Sequence, residues 1–321
     1  MTAPGGGLAG DLSGVPVRDV FGEALVELGA RDPRVVVLDG DLGNSTKIDR
    51  FGAEHPDRFY QMGIAEQNMA GVAAGMALTG LVPFMVTFAA FAAFRDLDQI
   101  RVSIAQTKAH VVIVGSYAGL LASRSGKTHV CMEDVALLRA LPNMTVLAPG
   151  TPGEMRQAVG LAAALDGPVY LRVARDPAPE VLPADYRLEP GRAVVVRDGG
   201  DVALVSSGFQ LGRTVAAAEL LAAAGIEALV LHVPFVKPLD ADAVLAAARR
   251  TGAVVTTEDH SVIGGLGSAV AELLGERLPT PLRRVGTNDV YIESAPNEDL
   301  VVRHGLTPER VAEVARELLG R

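Results

Sequence analysis

Two doubly wound α/β domains joined by a proline-rich linker are what this sequence predicts. Three observations carry that expectation. Short apolar runs alternate with Ala-rich helical patterns along the whole chain, which is the signature of parallel sheets covered on both faces. The 321 residues suit one large or two medium domains, with 49% hydrophobic residues to build cores. The alternation stops once, at residues 176–190, where Pro177, Pro179, Pro183 and Pro190 block helix continuation and strand pairing.

In order, residues 18–28 read as a helix and 35–38 as a buried strand. Residues 66–78 read as a helix with small residues on several faces, and 83–86 as a strand. A helix over 91–106 follows, then strands at 111–114 and 145–147, a helix at 151–165 and a strand at 169–173. Beyond the break, strands at 202–205, 228–233 and 253–256 alternate with helices at 214–224 and 241–249. Helices at 268–274 and 308–319 complete the second domain. The division is therefore 1–14 as a Gly-rich flexible tail, 15–175 as a first domain, 176–190 as linker and 191–321 as a second domain.

Composition narrows the function. The net charge is −9, with no basic stripe or arm, so neither nucleic acid nor an anionic membrane is an expected partner. The single cysteine, Cys131, cannot close an internal disulfide, which suits a reducing cytoplasm and reads as a small buried residue. Residues 1–14 lack the basic start and apolar run of a signal peptide.

The chemistry-bearing residues form an ordered series. Gly63-Ile64-Ala65-Glu66-Gln67-Asn68-Met69 opens the small-residue helix, where a carboxylate by itself reads as a favourable N-terminal helix charge. Asp39-Gly40-Asp41-Leu42-Gly43-Asn44-Ser45 precedes it. Phe88, Phe91 and Phe94 recur three residues apart, a spacing that by itself fits a core stripe. Asp98-Gln99-Ile100-Arg101, Gly126-Lys127-Thr128-His129, Glu133-Asp134 and Leu141-Pro142-Asn143-Met144 follow.

Taken in this order, from about Arg18 to the end, the series resembles the C-terminal half of a split, two-subunit transketolase. The fold this implies is a thiamine-diphosphate pyrimidine-binding domain followed by a transketolase C-terminal domain. The implied activity is transfer of a two-carbon ketol unit from a ketose or ketose phosphate to an aldehyde. Glu66 is then the carboxylate that hydrogen-bonds the cofactor's aminopyrimidine, with Phe91 as its stacking aromatic, Phe88 and Phe94 flanking, and Asp41 nearby. His129 matches a histidine close to the reacting carbonyl. Arg18 and Arg175 match arginines that grip a sugar phosphate, and Ser45 matches a phosphate contact.

The resemblance fails in one loop. Tyr117 stands where the family has a substrate-binding histidine, and Arg124 and Ser125 replace an acidic pair. Tyr117 and Ser125 are therefore expected to bind a substrate other than the ordinary ketopentose phosphates; a modified sugar, a carrier-bound acceptor and a keto acid are all open. No Gly-Asp-Gly and Asn set for Mg²⁺ and the diphosphate is found in this chain, so the resemblance implies that an N-terminal transketolase subunit supplies it, in an α₂β₂ heterotetramer. Glu258-Asp259-His260 and Gly264-Gly265-Leu266-Gly267 are similar to the family's C-terminal domain and read as packing rather than anion binding. Three further readings stand beside this one: a β subunit of a 2-oxoacid dehydrogenase passing an acyl group to a carrier, a 1-deoxyxylulose-phosphate-synthase-like relative, and a non-catalytic structural subunit.

Overall fold

The computed structural model describes residues 14–120, 122 and 124–320, so the expected tail over 1–14 lies almost wholly outside the described residues. Continuous apolar stretches become strands buried on both faces, because helices cover each side. The first six strands are β1 (Val35–Asp39), β2 (Phe59–Gln61), β3 (Val82–Phe88), β4 (Val112–Ser116), β5 (Thr145–Leu147) and β6 (Val169–Val173). The rest are β7 (Val194–Arg197), β8 (Val202–Ser207), β9 (Ala228–His232), β10 (Phe235–Lys237), β11 (Val254–Ser261) and β12 (Leu282–Thr287).

Two sheets result. The seven-stranded sheet runs β10-β5-β6-β4-β3-β1-β2, and the five-stranded sheet runs β12-β11-β8-β9-β7. Pairing is parallel throughout except for β10 with β5 and β7 with β9. Strand β10 follows β9 of the second sheet directly yet adds to the edge of the first, so the two sheets are tied by backbone pairing as well as by side chains.

Four strands escape the sequence pattern: β2, β7, β10 and β12. Each lies at an edge, and an edge strand needs no continuous apolar run. The helix expected over 91–106 is three pieces, Ala89–Phe94, Leu97–Gln99 and a π-helical stretch Ile100–Ala105. It breaks at Asp96, whose backbone leaves the helical region at φ −122°, ψ 15°.

Buried charge joins the sheets. Arg172 on β6 donates to both oxygens of Asp134, at 2.8 and 3.3 Å, and to the Asp259 carbonyl on β11 at 2.7 Å. Tyr170 Oη donates to the same Asp134 carboxylate at 2.7 Å. Burial acts to raise the Asp134 pKa, but Arg172 and His260 outweigh it and hold the carboxyl below its usual range. A second tie sets Glu154, at the start of the helix Pro152–Ala164, against His232 Nε2 at 2.8 Å and Tyr186 Oη at 2.6 Å. The Gly-rich segment 264–267 follows the packing expectation. Glu258 accepts from Leu266 N and Gly267 N at 2.7 and 2.8 Å, filling the N-terminus of the helix Leu266–Arg277.

Arg172→Leu leaves Asp134 buried without its cation, and should cost about 3–5 kcal/mol in chemical denaturation. Because the folded Asp134 pKa is depressed, its contribution is present at neutral pH and lost as pH falls through the carboxylate range. The gap between wild type and variant should therefore close in acid.

Candidate active site

The site lies at the carboxyl ends of β1, β3 and β4, where ligands sit in open α/β sheets. Glu66 is the first residue of the helix Glu66–Leu78 and is only 4% exposed. Its Oε1 accepts from Arg95 Nη1 at 2.8 Å, while Oε2 accepts no hydrogen bond among the described residues. The Arg95 guanidinium also lies 3.8 Å from the Phe91 ring centroid, within cation–π range. Arg95 therefore ties the carboxylate to the aromatic.

The aromatics divide. Phe88 ends β3 and Phe91 lies in the next helix; both are buried, with centroids 5.8 Å apart. Tyr117 stacks on Phe88 at 4.4 Å. The His129 ring meets Phe91 and Phe88 edge-on at 5.3 and 6.0 Å. Its Nδ1 faces Thr128 Oγ1 at 2.7 Å, which leaves Nε2 for another partner. Phe94 stands apart: it is 54% exposed and makes no ring contact with another aromatic among the described residues.

Arg18 and Arg175 bracket Tyr117, each guanidinium carbon 5.6 Å from its ring centroid. Arg18 Nη1 donates to Tyr117 Oη and, at 3.3 Å, to the Ser45 carbonyl. Arg175 donates to Asp176 at 2.6 Å. Tyr117 has φ +55°, a conformation a bulky side chain rarely adopts and one that concentrates at functional sites. Contacts thus run unbroken from Arg175 through Tyr117, Phe88, Phe91 and Arg95 to Glu66.

Asp41 and Ser45 line a neighbouring cleft of about 550 Å³ with Asp39, Asn44 and Gln61. Asp39 holds that turn by accepting from Leu42 N, Gly43 N and Gln61 Nε2. Burial raises its pKa, against the pull of those hydrogen bonds. Leu42 packs against the Phe88–Tyr117 cluster and so connects this cleft to the aromatics. Ser125 is exposed, and its hydroxyl donates to the Ala122 carbonyl at 2.9 Å.

Two residues escaped the sequence reading. Arg95 lies 29 positions from Glu66, and its only sequence signal is a cation directly after the aromatic series. Asp96 beside it is fully buried, and neither carboxyl oxygen finds a hydrogen-bond partner among the described residues. Burial, followed by the charge of Glu66, pushes its pKa up to about 8. Cys131 is buried and free, and burial drives its thiol pKa well up, as suits a packing residue.

Two α/β modules with dominantly parallel sheets, the first carrying a buried, arginine-bonded glutamate beside an aromatic cluster, are the architecture of a transketolase pyrimidine-binding domain followed by a transketolase C-terminal domain. Residues 13–180 match the family model for the transketolase pyrimidine-binding domain, and residues 191–311 match that for the transketolase C-terminal domain. The chain belongs to the transketolase family, as one subunit of a transketolase-type transferase that works with a partner subunit. A 6-deoxy-6-sulfo-D-fructose transketolase subunit, SqwH, of Clostridium sp. (strain MSTE9) is 44% identical over 305 residues, covering 95% of each chain. One of the subunits of an apulose-4-phosphate transketolase from Phocaeicola vulgatus is 33% identical, covering 95% of this chain and 98% of its own. A solved structure described as a split-gene transketolase, inactive β4 tetramer, superposes with a TM-score of 0.89 at 46% identity, covering 96% of this chain and 99% of that one. Of the reactions the sequence left open, the family match is to ketol transfer, and membership implies dependence on thiamine diphosphate.

Asp96 carries a pH signature. Its folded pKa lies above that of an unfolded aspartate, so its contribution to stability is intact in acid and is lost as pH rises from about 4 to about 8. Asp96→Asn should therefore raise Tm by roughly 2–4 °C at pH 8 and change it little at pH 4, as read by scanning calorimetry.

Proposed function

We propose that this chain is the pyrimidine-binding subunit of a thiamine-diphosphate-dependent transketolase, moving a two-carbon ketol unit from an anionic ketose to an aldehyde. The observation that carries this is the buried Glu66, oriented by Arg95 and linked through Phe91 and Phe88 to the Arg18–Tyr117–Arg175 cluster.

The residues fit the cofactor. Glu66 Oε2 is free to take the aminopyrimidine N1′ hydrogen bond, and Phe91 and Phe88 offer the flat apolar surface such a ring requires. When bound, thiamine diphosphate supplies the nucleophilic carbon and the electron sink for carbon–carbon cleavage. Glu66 holds the aminopyrimidine in its reactive tautomer. Phe91 and Phe88 keep water from one side of it. His129 Nε2 moves a proton at the substrate oxygen, while Thr128 fixes the ring through Nδ1. Arg18 and Arg175 receive the substrate's anionic end, with Ser45, Ser125 and Asp41 toward the channel. Tyr117 narrows the space between the arginines and sets which anion fits. Two of the relatives are named for sugars bearing a sulfonate or a phosphate, which suits this arginine pair.

A partner subunit of the N-terminal transketolase kind holds Mg²⁺ and the diphosphate, in an α₂β₂ assembly with sites at the interfaces. Ile64, 73% exposed, and Phe94 flank the Glu66–Arg95 pair in sequence and leave apolar surface for such a partner to cover. The relative described as an inactive β4 tetramer accords with a chain that needs its partner. The lone buried Cys131 suits a cytoplasmic setting.

Two measurements test this reading. Tagged chain recovered from its native cells should bring a second subunit, with about one thiamine diphosphate and one Mg²⁺ per pair. A chain that returns alone yet saturated with cofactor would carry its own diphosphate site, and the two-subunit account would fall. In the reconstituted pair, Glu66→Gln should keep the fold by circular dichroism but lower turnover of D-fructose 6-phosphate or 6-deoxy-6-sulfo-D-fructose by about 100-fold or more. Turnover like wild type would remove Glu66 from its role.

A further inference from the structure

We propose that the C-terminal domain positions the substrate loop of the first domain through Asp259 and Ser294, which makes Asp259 a positioning residue for substrate selection. The proposal rests on the reading that Tyr117, Ser125 and His129 face the substrate.

That loop leaves β4 at Tyr117 and carries Ser125 and His129. Its base is closed by Gly119 N donating to the Cys131 carbonyl at 3.1 Å. Two further anchors come from far along the chain. Asp259 Oδ1, on β11, accepts from Leu120 N at 2.9 Å, and both groups are buried. Ser294 Oγ donates to the Arg124 carbonyl. The first domain supplies the aromatic cluster itself: Phe88, Phe91, Tyr117 and Ala122, with Leu42, Ala90 and Val130 packed around them. The second domain therefore acts on the cluster through the loop's backbone.

The fit around Asp259 is tight. Gly119 has φ +80°, and a Cβ added there would meet Asp259 Oδ2 at 2.1 Å. Gly126 has φ +69°, and a Cβ there would meet the Ser294 Cβ at 3.2 Å. Asp259 is itself immobilised, because Arg172 donates to its carbonyl and is fixed in turn by Asp134. Yet Asp259 Oδ2 is buried with no hydrogen-bond partner among the described residues. A buried carboxylate oxygen left unpaired costs stability, so burial alone does not account for an acid at this position. A charged acceptor makes a stronger and better directed bond to Leu120 N than a neutral one. Fixing that amide fixes the strained backbone at Tyr117 three residues upstream, and with it the ring between the two arginines. Small displacements of positioning groups have large effects on substrate use.

The test has two arms. In the full chain, amide hydrogen exchange should show Leu120 losing protection in Asp259→Ala, with Val112–Ser116 on β4 unchanged. Asp259→Asn keeps an acceptor oxygen and should restore that protection. In the reconstituted holoenzyme, Asp259→Ala should raise KM about tenfold for whichever of D-fructose 6-phosphate and 6-deoxy-6-sulfo-D-fructose turns over, leaving thiamine diphosphate affinity intact. Asp259→Asn should recover most of the loss, and Ser294→Ala, which spares the buried network, should shift KM in the same direction by less. Undiminished Leu120 protection in Asp259→Ala overturns the proposal, as does a loss spread equally across β4 and both domains. If neither sugar is turned over by the wild type, the transferase reading fails for these donors, and the exchange arm alone decides the positioning role.

Discussion

The ion pair between Arg172 and Asp134 is the constraint from which the rest of the architecture follows. Burying both groups carries a desolvation penalty, which their mutual hydrogen bonds and those to Tyr170 and the Asp259 carbonyl offset. Tyr170 donates to Asp134, and Arg172 reaches across the domain boundary to the Asp259 carbonyl. The pair therefore ties β6 to β11. Glu154, His232 and Tyr186 repeat the arrangement at a second point, and β10 adds backbone pairing at a third. The two modules, whose buried apolar clusters themselves run across the boundary, are thus held as one body.

That rigidity serves a site built from distant pieces. Glu66 comes from one strand–helix junction, Phe88 and Phe91 from the next, Tyr117 and His129 from the loop after β4, and Arg18 and Arg175 from the two ends of the first domain. Each junction lies at the carboxyl edge of a parallel sheet, where side chains converge without interrupting the ladder. Arg95 joins the carboxylate to the aromatic platform, and Tyr117 joins that platform to Arg18 and Arg175. The apolar surface at Ile64 and Phe94 stays open, in keeping with a site divided between two chains.

Much of this was readable in the linear chain. Strands buried on both faces tend to be continuous apolar runs, so β1, β3, β4, β6, β8 and β9 announce themselves, and β11 does so at its start, Val254 and Val255. Glu66 was a legible candidate because it opens a helix within a specific string, and Phe91 because of the family resemblance, since its spacing from Phe88 by itself fits a core stripe. The edge strands were not legible, since exposure on one side relaxes the pattern. Nor was the break at Asp96, where a buried acid interrupts a run with otherwise good helix propensity. Phe94 shares the spacing of Phe88 and Phe91 yet is exposed; it is the last residue of its helix, which ends just before the break at Asp96.

The sequence by itself determined the alternation of elements and the family, and it singled out Glu66 as the candidate activating carboxylate. These depend on local period and on short strings of neighbouring residues. Only the tertiary structure decided which groups meet: Arg95 with Glu66 across 29 positions, Tyr117 between two arginines, and Asp259 with the Leu120 amide across 139. Such pairings are chosen by how sheets stack and chains cross, and by the cost of leaving a buried charge or amide unmatched. That cost is paid in three dimensions, and no periodicity along the chain records it.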